Sequence, residues 1–145
     1  MHSIGEEDCR WLVRDFEESE VWEGVKHMKG DKAPGSDGFS MGFIKACWGV
    51  LKEDIMAVFG EFHSKASFQK NLNESFIALI PKKVGAVDLK DFRPISLVGV
   101  VYKLIAKVLA NRLKTVLGKI ISETQNAFVR AFPATSLSCS LYLRI

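Results

Sequence analysis

Basic residues follow two short apolar stretches, and each stands beside a proline. Lys82 and Lys83 come directly after "FIALIP", and Arg93 precedes Pro94 in "FRPIS". Ammonium and guanidinium groups are natural partners of phosphate oxygens, and an arginine can bind two of them at once. A strand end fixed by proline would hold such a group in place. The pattern therefore indicates a phosphate-binding site at two strand ends, although solvent-facing charges beside a hairpin would give the same pattern.

A glycine-rich loop lies upstream, in the stretch "DKAPGSDGF" from Asp31 to Phe39. Its proline and glycines fit poorly in a helix or a central strand, so a tight loop is predicted. Consecutive backbone N–H groups in such a turn can bind an anion. The loop is not a P-loop, because no Gly-Lys-Ser/Thr follows. An ordinary turn between two helices is the alternative interpretation.

A basic stripe lies on the clearest predicted helix, which runs from about Val101 to Leu117. Lys103, Lys107 and Lys114 share one side of it, away from the apolar residues. Such a stripe could follow the backbone of a nucleic acid. It could equally be the solvent-facing side of an amphipathic helix.

The charge of the chain is unevenly distributed. Its 145 residues carry a net charge of +3, but residues 1–64 hold 7 Lys and Arg against 13 Asp and Glu. Residues 65–145 hold 13 Lys and Arg against 4 Asp and Glu, a net charge of +9. A basic half of this kind suggests a polyanionic partner such as nucleic acid, with a basic solvated surface as the alternative.

The cysteines and the N-terminal residues exclude other classes of protein. Cys9, Cys47 and Cys139 are far apart, so neither a zinc site nor a disulfide framework is predicted. The first residues are acidic and lack the apolar core of a secretory signal. No apolar run approaches the roughly 20 residues that span a membrane. We expect an intracellular chain, cytoplasmic or nuclear, without a membrane partner.

Periodic apolar residues predict that most of the chain is helical. A first helical face covers Val21–Met28, with acids in the first turn, lysines in the last and Gly30 as the expected stop. Ser40 is predicted to cap the next helix. Helical spacing then runs from Phe43 to Phe62, with a break expected between Gly49 and Asp54. Residues 1–16 fit either a short strand or the start of a helix.

The second half adds two extended segments before the long helix. "FIALI" is predicted to form a short buried strand closed by Pro81, and "FRPISL" a second strand, because a residue before proline avoids helical geometry. We expect the two to form an antiparallel pair joined by a charged loop. The long helix is expected to pack its apolar stripe against that pair. Ser122–Gln125 fits a capping box that opens a further helix.

The order of these stretches resembles the front part of a non-LTR (LINE-type) retrotransposon reverse transcriptase in a plant-like form. The stretches are "DKAPGSDGF", "FIALIPKK", "DLKDFRPISLVGVVYKLIAKVLANRLK" and "ISETQNAFV", from about Phe16 to Val129. The resemblance implies an α+β fold, the mostly helical fingers of a right-handed polymerase, truncated before the palm. It divides the chain into an N-terminal segment (1–16), the fingers region with the entry to the palm (17–129) and a divergent tail (130–145).

The resemblance also implies roles for individual residues. Lys82 and Arg93 match fingers residues that contact the triphosphate of the incoming nucleotide. The loop residues match a motif near the template, although Ser36 stands where the family usually has proline. The expected contacts to template or nucleic-acid backbone are Lys32, Gly35, Gly38, Lys83, Lys103, Lys107, Arg112 and Lys114.

Two departures from the family limit what the chain can do. After "NAFV" the family continues with a glycine-arginine pair and a helix, whereas this chain continues with "RAFPATSLSCSLYLRI", as a shifted reading frame or an abnormal splice would produce. The paired aspartates that hold the two metal ions of a polymerase also have no counterpart, since the last aspartate is Asp91. We therefore expect no catalytic residue, no metal site and no cofactor in the chain itself, although the family uses Mg²⁺.

The expected function is that of a truncated reverse transcriptase that is inactive alone. Its expected partners are RNA or DNA, bound weakly and without sequence preference, and a deoxynucleoside triphosphate. The alternatives are a decayed open reading frame without selected activity and a non-catalytic nucleic-acid-binding module. An active polymerase subunit completed by a separate palm chain is a further alternative.

Overall fold

A computed structural model describes residues 4–67, 72 and 74–120 of the chain. Within these residues it contains helices and one two-stranded antiparallel sheet, which confirms the predicted mixed, mostly helical class. The elements in chain order are α1 (Glu6–Leu12), α2 (Glu18–His27), α3 (Met41–Ala46), α4 (Trp48–Lys65), β1 (Ser75–Pro81), β2 (Phe92–Val98) and α5 (Val100–Ile120). The predicted capping box at 122–125 and the tail at 130–145 lie outside the described residues.

The helix boundaries follow local signals in the sequence. Ser40 caps α3 as predicted, because its hydroxyl accepts a hydrogen bond from the backbone N–H of Phe43 at 3.2 Å. The expected break falls at Cys47, between α3 and α4, and therefore earlier than Gly49. Within the N-terminal segment, Glu6–Leu12 form the short helix α1. Its first turn carries three acidic residues that suit the positive end of the helix dipole.

The hydrophobic core lies between four helices. Two or more core residues come from each of α2, α3, α4 and α5: Val21, Val25, Met41, Ile44, Ile55, Phe59, Val100, Leu104, Ile105 and Val108. Gly24 of α2 permits a close approach to α5, since a Cβ there would lie 3.0 Å from a methyl group of Val108 and 3.4 Å from one of Leu104. The core is therefore a helical one, and α2 and α5 form its most extensive helix–helix contact.

The predicted packing of the long helix against the strand pair is wrong. The buried side of α5 packs against α2 and, near its C-terminal end, against α1. Two residues of the predicted stripe, Leu109 and Leu113, are exposed, whereas Arg112 is buried. The reason is that α2 offers Val21, Gly24 and Val25, a small-residue surface that accepts the side chains of α5 closely.

The strands form the predicted antiparallel pair, with Leu79 opposite Pro94, Ile80 opposite Arg93 and Pro81 opposite Phe92. The prediction that "FIALI" is buried is wrong. Every residue of β1 is exposed except Ala78, which is half-buried. Two strands provide two faces, and the helical core covers little of either one.

No helix within residues 4–67, 72 and 74–120 has the length and apolar character needed to cross a membrane.

Candidate nucleotide and nucleic-acid interface

The hairpin brings Lys82 and Arg93 together at its free end. The backbone N–H of Lys82 donates to the carbonyl of Asp91 at 2.8 Å, which extends the ladder one pair beyond Pro81. Arg93 stands opposite Ile80 on the facing strand. Because side chains alternate along a strand, Lys82 and Arg93 occupy the same face as diagonal neighbours, with Cα atoms about 7–8 Å apart.

The charges at this end differ in how far they are already paired. The ammonium of Lys82 donates to the carbonyl oxygen of Lys90 at 2.7 Å, and the ammonium of Lys83 lies 3.0 Å from the carboxylate of Asp91. Arg93 is exposed, and its guanidinium makes no hydrogen bond or ion pair with the rest of the described chain. Arg93 is thus the cation at this end that is most available to an external phosphate.

The three lysines of α5 form a second basic group. At 100° per residue, Lys103, Lys107 and Lys114 lie within about 40° of one another around the helix, over a length of roughly 16 Å. None of them forms a salt bridge within the described part of the chain, and Lys114 is exposed while the other two are half-buried. They lie beyond the base of the hairpin, and the strand from Val98 to Arg93 spans about 17 Å. The two basic groups are therefore separate.

The glycine-rich loop packs against the junction between β2 and α5. Gly35 is buried there, and a Cβ at this position would lie 2.3 Å from the backbone carbonyl of Val98. The hydroxyl of Ser36 donates to the carbonyl of Glu74 at 3.0 Å, at the base of the hairpin. Gly38 has φ +72°, in the left-handed region that favours glycine. Lys32 is exposed at the start of the loop.

Asp37 gives this loop a structural function that the sequence did not reveal. One of its carboxylate oxygens accepts from the backbone N–H of Val100, the first residue of α5, and the other accepts from Phe39 at 3.3 Å. A carboxylate at a helix N-terminus satisfies an unpaired N–H and suits the helix dipole. Local sequence patterns could not predict this cap, because Asp37 caps a helix that begins 63 residues later in the chain.

Arg112 was expected near a nucleic-acid backbone, but its geometry gives it a structural role instead. The residue is 2% exposed. All five of its N–H donors are used. Two bind the carboxylate of Glu20, at 2.6 and 2.9 Å, and three bind the backbone carbonyls of Leu12, Arg14 and Asp15 at 2.6–3.1 Å. Because Arg112 is buried and all of its donors are bonded, it cannot bind a phosphate.

Glu20 is the partner that the sequence analysis missed. Burial raises the pKa of this carboxyl, but the hydrogen bond and charge of Arg112, the charge of Arg14 and a backbone hydrogen bond at Glu17 together outweigh that effect, so its pKa lies below the ordinary value of 4.5. The guanidinium of Arg112 also stacks over the ring of Phe16 at 4.1 Å. The sequence held one signal for this site, since Arg112 is spaced four residues from both Val108 and Val116 on the buried side of α5.

No group of three or more His, Cys, Asp or Glu within residues 4–67, 72 and 74–120 is arranged to hold a metal ion.

Comparison with known proteins relates the chain to mobile elements. No protein-family model matches it. Over 107 residues, 74% of the chain, it is 32% identical to the "Transposon TX1 uncharacterized 149 kDa protein" of Xenopus laevis. Over 123 residues, 83% of the chain, it is 26% identical to the "Retrovirus-related Pol polyprotein from type-1 retrotransposable element R1" of Bradysia coprophila. The chain spans only 8% and 12% of the length of these relatives. Both similarities support a retrotransposon origin for the chain.

Proposed function

We propose that the chain is a reverse-transcriptase fingers fragment that binds nucleotide phosphates and nucleic-acid backbone but does not polymerise nucleotides alone. The observation that carries the proposal is the placement of Lys82 and Arg93 on one face of the hairpin end, with Arg93 exposed. A guanidinium that can bind two oxygens beside an ammonium suits a triphosphate. The retrotransposon origin supports the polymerase interpretation of this geometry.

The lysines of α5 supply the second part of the proposed function. Lys103, Lys107 and Lys114 form a stripe long enough to meet several successive phosphates of one strand. Such contacts neutralise backbone charge without reading bases, so binding is independent of sequence. Affinity is expected to be roughly micromolar at best, since sequence-independent binding lies in that range.

Polymerisation requires two metal ions held by paired aspartates. The last aspartate of the chain, Asp91, forms an ion pair with Lys83 at the hairpin end. We expect no template-dependent incorporation of nucleotides when the purified chain is supplied with Mg²⁺. Incorporation that an Arg93→Ala change abolished would contradict this part of the proposal.

A salt titration with fluorescent single-stranded RNA tests the backbone-binding part. If about 3–5 cations meet phosphates, the slope of log affinity against log salt should be about −2 to −4. Replacing Lys103, Lys107 and Lys114 with glutamine should weaken binding to all sequences alike and make the slope less steep by about 2. A triple variant with the wild-type slope, or wild-type affinity that does not change with salt, would contradict the proposed surface.

Binding of a fluorescent deoxynucleoside triphosphate tests the hairpin end. Arg93→Gln should weaken nucleotide binding strongly and RNA binding little, because its expected ligand is a triphosphate. Arg10→Gln is a matched control, since Arg10 is also exposed but lies on α1, in the acidic half. Equal losses of nucleotide affinity in the two variants would show that Arg93 contributes only ordinary surface charge. A chain that binds neither RNA nor nucleotide at low salt would leave the decayed open reading frame as the better account.

A further inference from the structure

The hairpin has two outward edges, and its hydrogen-bond pattern fixes which amides point outward. The N–H of Lys82 points towards β2, because it donates to Asp91. By strict alternation, the N–H groups of the even-numbered residues 76–82 point towards β2, and those of Ser75, Ile77 and Leu79 point away. Both prolines of the sheet, Pro81 and Pro94, fall at outward positions, where no ladder bond needs an N–H.

The edge of β1 is open, whereas the edge of β2 is interrupted. Ser75, Ile77 and Leu79 direct their N–H groups away from β2, and these groups have no hydrogen-bond partner within residues 4–67, 72 and 74–120. Residues 75–80 include no charge and no proline, the devices that normally keep a strand edge from pairing. On β2, Pro94 removes the donor in the middle of the outward edge.

Both faces of β1 are also apolar and exposed. Phe76 is 61% exposed and Ile80 45% on one face, and Ile77 is 69% exposed and Leu79 48% on the other. A two-stranded hairpin is marginally stable in water unless more strands or a packed face support it. An added strand along β1 would cover part of both apolar faces and satisfy its outward amides.

We propose that β1 pairs antiparallel with β1 of a second copy of this chain, with Ala78 of each copy at the two-fold axis. The result is a continuous four-stranded sheet. In this register Ile77 faces Leu79 of the second copy, and Phe76 faces Ile80 of the second copy. The cross-strand contacts between residues 76 and 80 of the two copies are then all between apolar side chains, the favourable case for an antiparallel sheet.

Charge and hydrogen bonding select this register over its neighbours. Glu74 and Lys82 stand four residues to either side of Ala78, so the two ends of the pairing place each Glu74 beside Lys82 of the other copy. Ser75 donates its N–H to the carbonyl of Pro81 in the other copy, so the missing N–H of Pro81 costs only one bond per copy. Each chain has a single open β1 edge, so the pairing closes at a dimer.

A cysteine at the axis tests the register directly. Ala78 of one copy faces Ala78 of the other as a non-hydrogen-bonded pair, whose Cα atoms lie about 4.5 Å apart, within disulfide range. Ala78→Cys, made in a chain with Cys9, Cys47 and Cys139 replaced by serine, should form a disulfide-linked dimer under mild oxidation. Leu79→Cys is the matched control, because in this register the Cα atoms of residue 79 in the two copies lie about 8 Å apart, too far for a disulfide. Equal cross-linking of the two variants would overturn the proposal.

Charge exchange tests the same register without oxidation. Glu74→Lys and Lys82→Glu should each weaken dimerisation about 10-fold or more in sedimentation equilibrium, because each creates two like-charge pairs. The double variant should restore the wild-type dimer, and circular dichroism confirms that each variant is folded. A wild-type chain that remains monomeric at every concentration, or a double variant no better than the single ones, would refute the pairing.

Discussion

Replacing Arg112 with methionine should strongly destabilise the chain, because the residue is buried and all of its donors are bonded. Methionine retains much of the length of arginine but has no donor. Three backbone carbonyls, those of Leu12, Arg14 and Asp15, would lose their side-chain partner. The carboxylate of Glu20, whose side chain is only 14% exposed, would lose its nearest cation and keep only Arg14, whose guanidinium lies 3.4 Å away.

The magnitude follows from what remains unpaired. Removing one partner of a buried ion pair costs about 3–5 kcal/mol, because the other charge stays in a poorly solvated place. A domain of this size has a free energy of unfolding of roughly 5–15 kcal/mol, so this loss could leave much of the chain unfolded. Arg112→Lys keeps the charge but has three donors in place of five and no fork, so it should lose about 1–3 kcal/mol. Arg112→Met combined with Glu20→Leu should recover part of the loss, since no buried charge remains.

Urea unfolding followed by circular dichroism gives the free energies, and RNA binding by Arg112→Lys separates the two roles of this residue. A structural Arg112 should leave the salt slope of the folded variant unchanged. The reasoning would be refuted if Arg112→Met lost less than about 1 kcal/mol while the RNA salt slope fell by about one unit, the signature of a lost phosphate contact.

Changes at four further positions test the loop, the backbone packing, helix propensity and the half-buried carboxylate of Glu20. Asp37→Ala should lower the free energy of unfolding by about 0.5–2 kcal/mol through loss of the α5 cap, and Asp37→Asn by less, as urea unfolding will show. Gly35→Ala should destabilise by about 1–3 kcal/mol, because its Cβ would overlap the backbone of Val98. Gly60→Ala, in open space within α4, should stabilise by about 0.5–1 kcal/mol in the same assay. The pKa of Glu20 is lowered on folding, so its stabilising effect is present above pH 4.5 and is lost as the pH falls. The difference in urea midpoint between the wild type and Glu20→Gln should therefore shrink on acidification, and a difference that grew would contradict the pair.

Local signals in the sequence were sufficient for much of the secondary structure. The helical spacing of Val21, Val25 and their neighbours predicted α2, and the hydroxyl of Ser40 predicted the start of α3. The prolines at 81 and 94 predicted two extended segments, which the register of the hairpin confirms. Each of these features depends on residues within a few positions of one another, which is why sequence reasoning could find them.

The errors concern contacts between distant parts of the chain. An apolar strand such as "FIALI" favours burial, but only the placement of other elements decides whether anything covers it. The choice of α2 rather than the hairpin as the partner of α5 depends on Gly24, whose small size has no consequence until two helices meet. The burial of Arg112 depends on four residues between 12 and 20, at a sequence separation of 92 or more.

That separation has a consequence for the order in which the chain can fold during its synthesis. Residues 12–15 emerge from the ribosome long before Arg112, and the carbonyls that Arg112 binds remain without this partner until α5 has been made. The helix α5 also supplies Val100, Leu104, Ile105 and Val108 to the core, so the three preceding core helices expose apolar surface until then. Any premature end of translation before residue 100 would therefore release a chain without a complete core. The complete helical core can therefore form only after α5 has been synthesised.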